Sequence, residues 1–317
     1  MNATVVGAGI NGCAAAWALR RRGVDVTLVD QFAPGHTRGS SHGRSRIFRL
    51  AYPEQHWVEL AEEALTGWRE LELESGATLL ELYGLVELCS SVAVSSRDVL
   101  ETRGIEHRLL EQDELDVALP DGWIALWQPD AGIVRSDVAL DAFRGDLPVE
   151  QRRVESLDDV DGDVVVVTAG PWAPQLLPDL PVRVTRETVA YFAHEGAPLP
   201  SVVELDEATR HHAMYALHDP VYGLKAGAHH AGPVADPDTE GSPDPALVEQ
   251  IARWVRDRFP QIDAQPLSAE TCIYTSTADE SFILERRGRV VVGSACSGHA
   301  FKFAPAIGKR LADLAMG

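Results

Sequence analysis

Apolar positions along the chain follow three rhythms, and each predicts a kind of element. Short uninterrupted runs at residues 3–6, 163–168 and 288–293 read as strands buried on both faces. Trp57, Leu60, Ala61, Ala64, Leu65, Trp68 and Leu71 recur at helical spacing and predict one amphipathic helix over 54–74. Leu247, Ile251, Trp254 and Val255 predict another over 246–259. From 182 to 192 the pattern turns to longer alternating strands, repeated at 214–217 and 221–226. Further strands are expected at 24–29, 79–92, 123–127 and 271–275. Helices are expected at 96–103, 136–143 and from about 303 to 315, with a short acidic one at 109–115. The predicted fold is α/β. A Rossmann-like domain comprises 1–180, a mostly antiparallel second domain 181–270, and a return segment 271–317 completes the first.

The first run meets Gly7-Ala8-Gly9-Ile10-Asn11-Gly12 and then an apolar helix. In a strand-turn-helix of this kind Gly7 makes the turn, Gly9 lets backbone approach a pyrophosphate, and Gly12 lets the helix pack on the strand. The second strand ends in Asp30, the carboxylate expected on a ribose hydroxyl. Dinucleotide binding follows, over an ordinary glycine-rich turn. The 163–168 strand also ends in a small-residue turn, Thr168-Ala169-Gly170, over which a cofactor would pass. A second glycine-rich turn at 294–299 precedes the last helix. It is neither a P-loop nor a GxSxG nucleophile elbow.

Charge and composition narrow the function. A net charge of −20 argues against nucleic acid or an anionic membrane as partner. The apolar run after Gly12 is too short to span a bilayer and follows no basic segment, so a cytoplasmic protein is expected. Cys13, Cys89, Cys272 and Cys296 are scattered without CxxC spacing. His211, His212, His218, His229 and His230 invite a metal reading, but none stands in HExxH or Cys/His ligand spacing, and no metal is expected. The chain has only three lysines, Lys225, Lys302 and Lys309. Lys225 and Lys302 lie among small and apolar residues, where a compact charge whose pKa responds to burial serves a purpose arginine cannot. Lys309, beside Arg310, reads as a solvated charge.

Taken in order, GAGINGCAAAWAL with Asp30, HTRGSSHGRSRIFRLAY, VVVTAGPW, YGLKAGAH, ETCIYTSTADESFILE and GHAFKF resemble the monomeric sarcosine oxidase and N-methyltryptophan oxidase family. These are FAD-dependent amine oxidases of the D-amino-acid-oxidase-like group. The resemblance spans nearly the whole chain, and its second, fifth and sixth stretches are its most specific. It implies FAD joined through Cys272, with His42 and Arg46 beside the isoalloxazine. Ser41, Gly298, His299, Phe301 and Lys302 also fall in its cofactor pattern. Arg49 and Lys302 would hold a substrate carboxylate, Lys225 would activate oxygen, and Tyr215, His229 and Tyr274 would line the substrate pocket. The last helix would point its positive end at the flavin.

The implied reaction oxidises a C–N bond of a secondary or cyclic amino acid to an imine, with oxygen reduced to hydrogen peroxide by a monomeric enzyme. Alternatives are an oxidase or dehydrogenase of a primary amino acid or biosynthetic intermediate with noncovalent FAD, and a non-catalytic flavin-binding subunit. Retention of Arg49, Lys225, Lys302 and Cys272 speaks against the last. The chain departs from the family in three ways: 145–162 is short, the second domain is trimmed and the chain stops just after the last helix, and Arg44 stands where the family commonly has an acid.

Overall fold

A computed structural model describes residues 1–208, 214–294 and 296–317. His211 and His212 therefore lie outside the described residues, as does Ala295 in the second glycine-rich turn. The chain opens with β1 (Asn2–Val6), α1 (Ile10–Arg20), β2 (Asp25–Asp30), β3 (Ser45–Phe48) and α2 (Gln55–Ser75). Next come β4 (Leu80–Glu81), β5 (Leu85–Cys89), α3 (Arg97–Arg103), β6 (Arg108–Leu110), β7 (Ile124–Gln128), β8 (Gly132–Arg135), α4 (Ser136–Arg144) and β9 (Val149–Gln151). They are followed by β10 (Val164–Val167), α5 (Ala173–Leu176), β11 (Arg183–Ala193), β12 (Ser201–Leu205), β13 (Met214–Asp219) and β14 (Gly223–Ala228). α6 (Pro245–Arg258), β15 (Ser268–Ser276), β16 (Ile283–Arg287), β17 (Val290–Ser294) and α7 (Ala304–Met316) complete the order.

The continuous apolar runs form the centre of a six-stranded sheet in the order β16-β17-β10-β1-β2-β9. Its inner strands are parallel, and only β16 runs against its neighbour. Parallel strands need cover on both faces, which is why Val164 to Val167 are all buried. α1 packs on α4 and α7 beside this sheet. The alternating strands form an eight-stranded sheet, β15-β11-β14-β13-β12-β5-β7-β6, in which β12 and β5 make a parallel pair. A three-stranded sheet, β3-β8-β4, draws its strands from either side of β5–β7.

Three features differ from the sequence expectation. The eight-stranded sheet crosses the expected division into 1–180, 181–270 and 271–317, because β5, β6 and β7 come from before residue 181 and β15 begins at Ser268. Strand pairing with distant β12 outweighs chain order here. The expected strand over 79–92 is broken at Gly84, whose φ is +86° and where a Cβ would fall 1.8 Å from the Trp127 ring. The expected acidic helix at 109–115 is β6 followed by a single 3-10 turn, Gln112–Glu114, closed by a Glu111/Glu114 capping box. Among the described residues no helix is long and apolar enough to cross a membrane.

α7 approaches α1 closely at Gly308. A Cβ there would lie 2.5 Å from the backbone carbonyl of Ala14 on α1. Gly308→Val should therefore overpack the α1–α7 interface at a cost of about 1–3 kcal/mol. The measurement is the thermal unfolding midpoint, expected to fall by several degrees relative to wild type. Equal midpoints would show that the helices do not need this close approach.

Candidate active site

The turn after β1 is crowded for a physical reason. At Gly7, with φ +106°, a Cβ would sit 2.4 Å from the Thr168 carbonyl oxygen, and at Gly12 it would sit 1.8 Å from the Gly7 carbonyl oxygen. The Thr168 hydroxyl donates to the Val6 and Gly7 carbonyls at 3.2 and 3.1 Å, locking β10 to the turn. Gly9, the N-cap of α1, has no side chain, and the first helical turn carries no acid. The positive helix end thus meets the adjoining cavity with no acid in its own first turn. Asp30 accepts from the Ala8 and Phe32 amides at 2.7 and 2.8 Å, which fixes its carboxylate at the rim. Ser41 Oγ accepts from Ile10 N at 3.0 Å.

A cavity of about 1000 Å³ starts at this turn. It is lined in succession by Gly7, Gly9, Asp30, Ser41, Thr168, Ala169 and Gly170, then by His42, Arg46, Cys272, Gly298, His299 and Phe301. Arg49, Tyr215, Lys225, His229, Tyr274 and Lys302 line the same space. Every site residue expected from the sequence thus faces one cavity except Gly12, which lies beneath the turn and packs against it. The volume suits a dinucleotide with a small substrate. His42 Nε2 is buried in this cavity without a hydrogen-bond partner among the described residues, as a group awaiting a polar ligand would be. The residues present therefore fit an FAD.

The far end of the cavity is cationic. Lys225 and Lys302 are each only 6% exposed, although ammonium groups are rarely buried. Burial, then the nearby Arg46 charge, lowers Lys225 to about 7, with Cys272, Asp219 and Glu270 opposing the shift. Burial likewise lowers Lys302, partly offset by Tyr52. Lys302 Nζ donates to the His299 carbonyl at 2.9 Å. Arg46 donates to the carbonyls of Ser40, His42 and Ser45 at 3.0, 2.5 and 2.9 Å, so its guanidinium is fixed by backbone. Burial and the Arg46 charge lower His42 to about 4, which keeps the imidazole neutral at pH 7. Cys272 Sγ lies 3.7 Å from the Ser40 carbonyl oxygen, on β15 opposite Glu187 of β11.

Tyr215 and Tyr274 are held as neutral phenols, since burial raises Tyr215 to about 12 and lifts Tyr274 well above its usual range. Their rings occupy space that only glycine leaves open. A Cβ on Gly227 would lie 2.6 Å from the Tyr215 hydroxyl, and one on Gly298 would lie 2.3 Å from the Tyr274 ring and 2.4 Å from His229.

Several participants escaped the sequence reading. Arg49 lies 4.2 Å from the Tyr52 ring centroid, and its Nη1 is 3.6 Å from Oε1 of the fully buried Glu87. Ser96 donates to Glu87 through its hydroxyl at 2.6 Å and its amide at 3.1 Å. Burial alone would raise the Tyr52 phenol, but the Lys302 and Arg49 charges hold it below its usual range. The available signal was one acid in the otherwise apolar run Leu85-Val86-Glu87-Leu88. Arg44, the departure from the family pattern, pairs at 3.2 Å with buried Asp219 and lies over the Tyr191 and Tyr222 rings.

Known proteins resemble this chain over nearly its whole length. The family model described as FAD dependent oxidoreductase matches residues 2–314. Peroxisomal sarcosine oxidase of Mus musculus is 32% identical, over 99% of this chain and 92% of its own length. Monomeric sarcosine oxidase of Bacillus sp. (strain B-0618) is 28% identical, over 98% of this chain and 91% of its own. Among solved structures, NikD, an unusual amino acid oxidase essential for nikkomycin biosynthesis, superposes with a TM-score of 0.84 at 23% identity. That likeness covers 99% of this chain and 93% of NikD and concerns the fold.

The geometry around Lys302 gives a direct test. Lys302→Met keeps the length and removes the charge, so a small carboxylate such as acetate should bind roughly tenfold to a hundredfold more weakly by calorimetry. A neutral amide of the same shape should be little affected. Equal loss for both would show that the ammonium is not the anion anchor.

Proposed function

Because the chain belongs to the FAD dependent oxidoreductase family, whose model matches it from residue 2 to 314, we propose that it oxidises the C–N bond of a secondary or cyclic amino acid. The products are an imine, which water hydrolyses, and hydrogen peroxide from oxygen. The observation that carries the reading is the single cavity that joins the glycine turn to four buried or half-buried cations, Arg46, Arg49, Lys225 and Lys302. The sarcosine oxidase relatives support an N-methyl or other secondary amine over a primary one. The relative named as monomeric supports a monomer. The scattered cysteines support a reducing, cytoplasmic setting.

On this reading Gly7, Gly9 and the α1 N-terminus hold the FAD pyrophosphate, Asp30 holds a ribose hydroxyl, and Ser41, Thr168, Ala169 and Gly170 line the path between the two ends. His42, Arg46, Gly298, His299 and Phe301 surround the ring, and Cys272 is its covalent attachment point. FAD supplies hydride acceptance from the amine carbon and the two-electron reduction of oxygen. Arg49 and Lys302 bind the substrate carboxylate as fork donor and point charge, with Tyr52 between them. Tyr215, His229 and Tyr274 bound the space left for the rest of the substrate and exclude water. Neutral His229, lowered to about 4 by burial, does not compete with Lys302 for the carboxylate. Lys225 places a positive charge where negative charge develops on oxygen.

Two experiments test this reading. Acid precipitation of the purified holoprotein should leave yellow colour in the pellet, and Cys272→Ser should release it to the supernatant. Colour in the wild-type supernatant would remove the covalent link and favour noncovalent FAD. Lys225 is charged below its pKa of about 7 and loses that charge as pH rises through it. Reoxidation by oxygen in stopped flow should accordingly slow toward alkaline pH. Lys225→Met should slow it at every pH and flatten the profile while anaerobic reduction by substrate proceeds. A normal oxygen rate in the variant would refute the assignment.

A further inference from the structure

The sequence shows no metal-ligand spacing, yet the fold brings three donors together from segments fifty residues apart. His229 and His230 follow β14, and Glu280 lies in the loop between β15 and β16. One ligand atom from each residue can be chosen so that all lie within 4.8 Å of one another. His229 Nε2 is 3.9 Å from Glu280 Oε2, and His230 Nε2 is 3.6 Å from Glu280 Oε1. These gaps are wide for direct hydrogen bonds. They are close to the separation of about 3.3 Å between donors that a tetrahedral zinc shell with bonds of about 2.0 Å requires.

The backbone supports the convergence. His230 at φ +56° and Glu280 at φ +60° both adopt the left-handed conformation that non-glycine residues seldom hold. Such strain is found where surrounding structure imposes a functional geometry. The imidazoles are fixed from behind: both rings pack at 5.4 Å on Tyr274, and a Cβ at Gly298 would lie 2.4 Å from the His229 ring. His299 Nε2 lies 3.1 Å from the Glu280 carbonyl oxygen, which anchors the acid's own backbone.

We propose that His229, His230 and Glu280 form a binding site for a divalent ion of the zinc class. Two imidazoles and one carboxylate are the donor set such ions prefer, and the cavity that His229 and Glu280 line would supply a fourth ligand. His229 and Glu280 line the same cavity as Lys302 and Tyr274, so a bound ion occupies part of the substrate volume. The site is therefore inhibitory, and this consequence alone rests on the proposed substrate reading.

The test uses chelator-treated holoprotein. Equilibrium dialysis against zinc chloride should give one zinc per chain, and Glu280→Gln and His230→Asn should each weaken it by roughly tenfold or more. Circular dichroism of both variants checks that they are folded. In turnover assays zinc should compete with the amine for wild type and lose potency in parallel in the variants. Zinc uptake that neither folded variant changes, or no uptake at all, overturns the site whatever the enzyme oxidises. Inhibition that is not competitive overturns the shared volume. An absence of turnover with every amine tested leaves the dialysis result standing and counts against the substrate reading instead.

Discussion

The structure depends on one close approach, the stacking of β1, its glycine turn and α1 against Thr168. Three backbone segments come within van der Waals contact there, and any Cβ at Gly7 or Gly12 would occupy another residue's carbonyl. This closeness aims the open end of α1 into the cavity instead of into protein. It also sets the positions of β2 and β10, whose ends carry Asp30 and Thr168. α7 then reaches α1 through Gly308, so the return segment is registered against the same turn. Because Lys302 sits just before α7, the distance between the two ends of the cavity is fixed by that packing.

The second organising constraint is electrostatic. The chain as a whole carries −20, yet its main cavity gathers Arg46, Arg49, Lys225 and Lys302. Buried cations are costly unless compensated, and the compensation here is uneven. Arg44 has Asp219 and Arg49 has Glu87, both fully buried carboxylates. Arg46 is held by backbone carbonyls. Lys302 has the His299 carbonyl and the Tyr52 ring, and burial lowers both lysines. Arg49 and Lys302 flank the Tyr52 ring with Glu87 paired to Arg49, an arrangement that favours an anionic ligand between the two cations, and an acidic exterior does not weaken that over short distances inside a low-dielectric cavity.

Much of the site was legible because its residues sit in local motifs. The GAGING turn, the loop carrying Ser41, His42, Arg46 and Arg49, and the segments around Lys225, Cys272 and Lys302 each span few residues, and the fold brings them to one cavity. What stayed hidden depends on long-range pairing. Glu87 reads as one acid in an apolar strand until β5 meets Arg49. Asp219 explains Arg44 only once β13 is placed beside the loop. β12 is short and mixed in character, and its parallel pairing with β5 draws 85–128 into the second sheet against chain order. The break at Gly84 was likewise set by a tertiary contact, with Trp127, whereas the turn after β6 is closed locally by the Glu111/Glu114 box.

The scarcity of lysine makes the last step of synthesis possible. With arginine supplying nearly all positive charge, the two buried lysines mark places where a guanidinium would fail. At β14 the side chain at 225 has Tyr191 and Leu217 as cross-strand neighbours and ends 5.9 Å from the Tyr191 ring centroid. A planar fork there would need several acceptors, whereas an ammonium can be partly desolvated and brought near neutrality. Arg46 keeps its charge and, after burial, is what holds Lys225 near 7. The pair divides the work: the residue that cannot lose its proton sets the field, and the one that can responds to charge appearing in the cavity. That division requires one arginine and one lysine side by side, and exchanging the two types would leave neither property where it is needed.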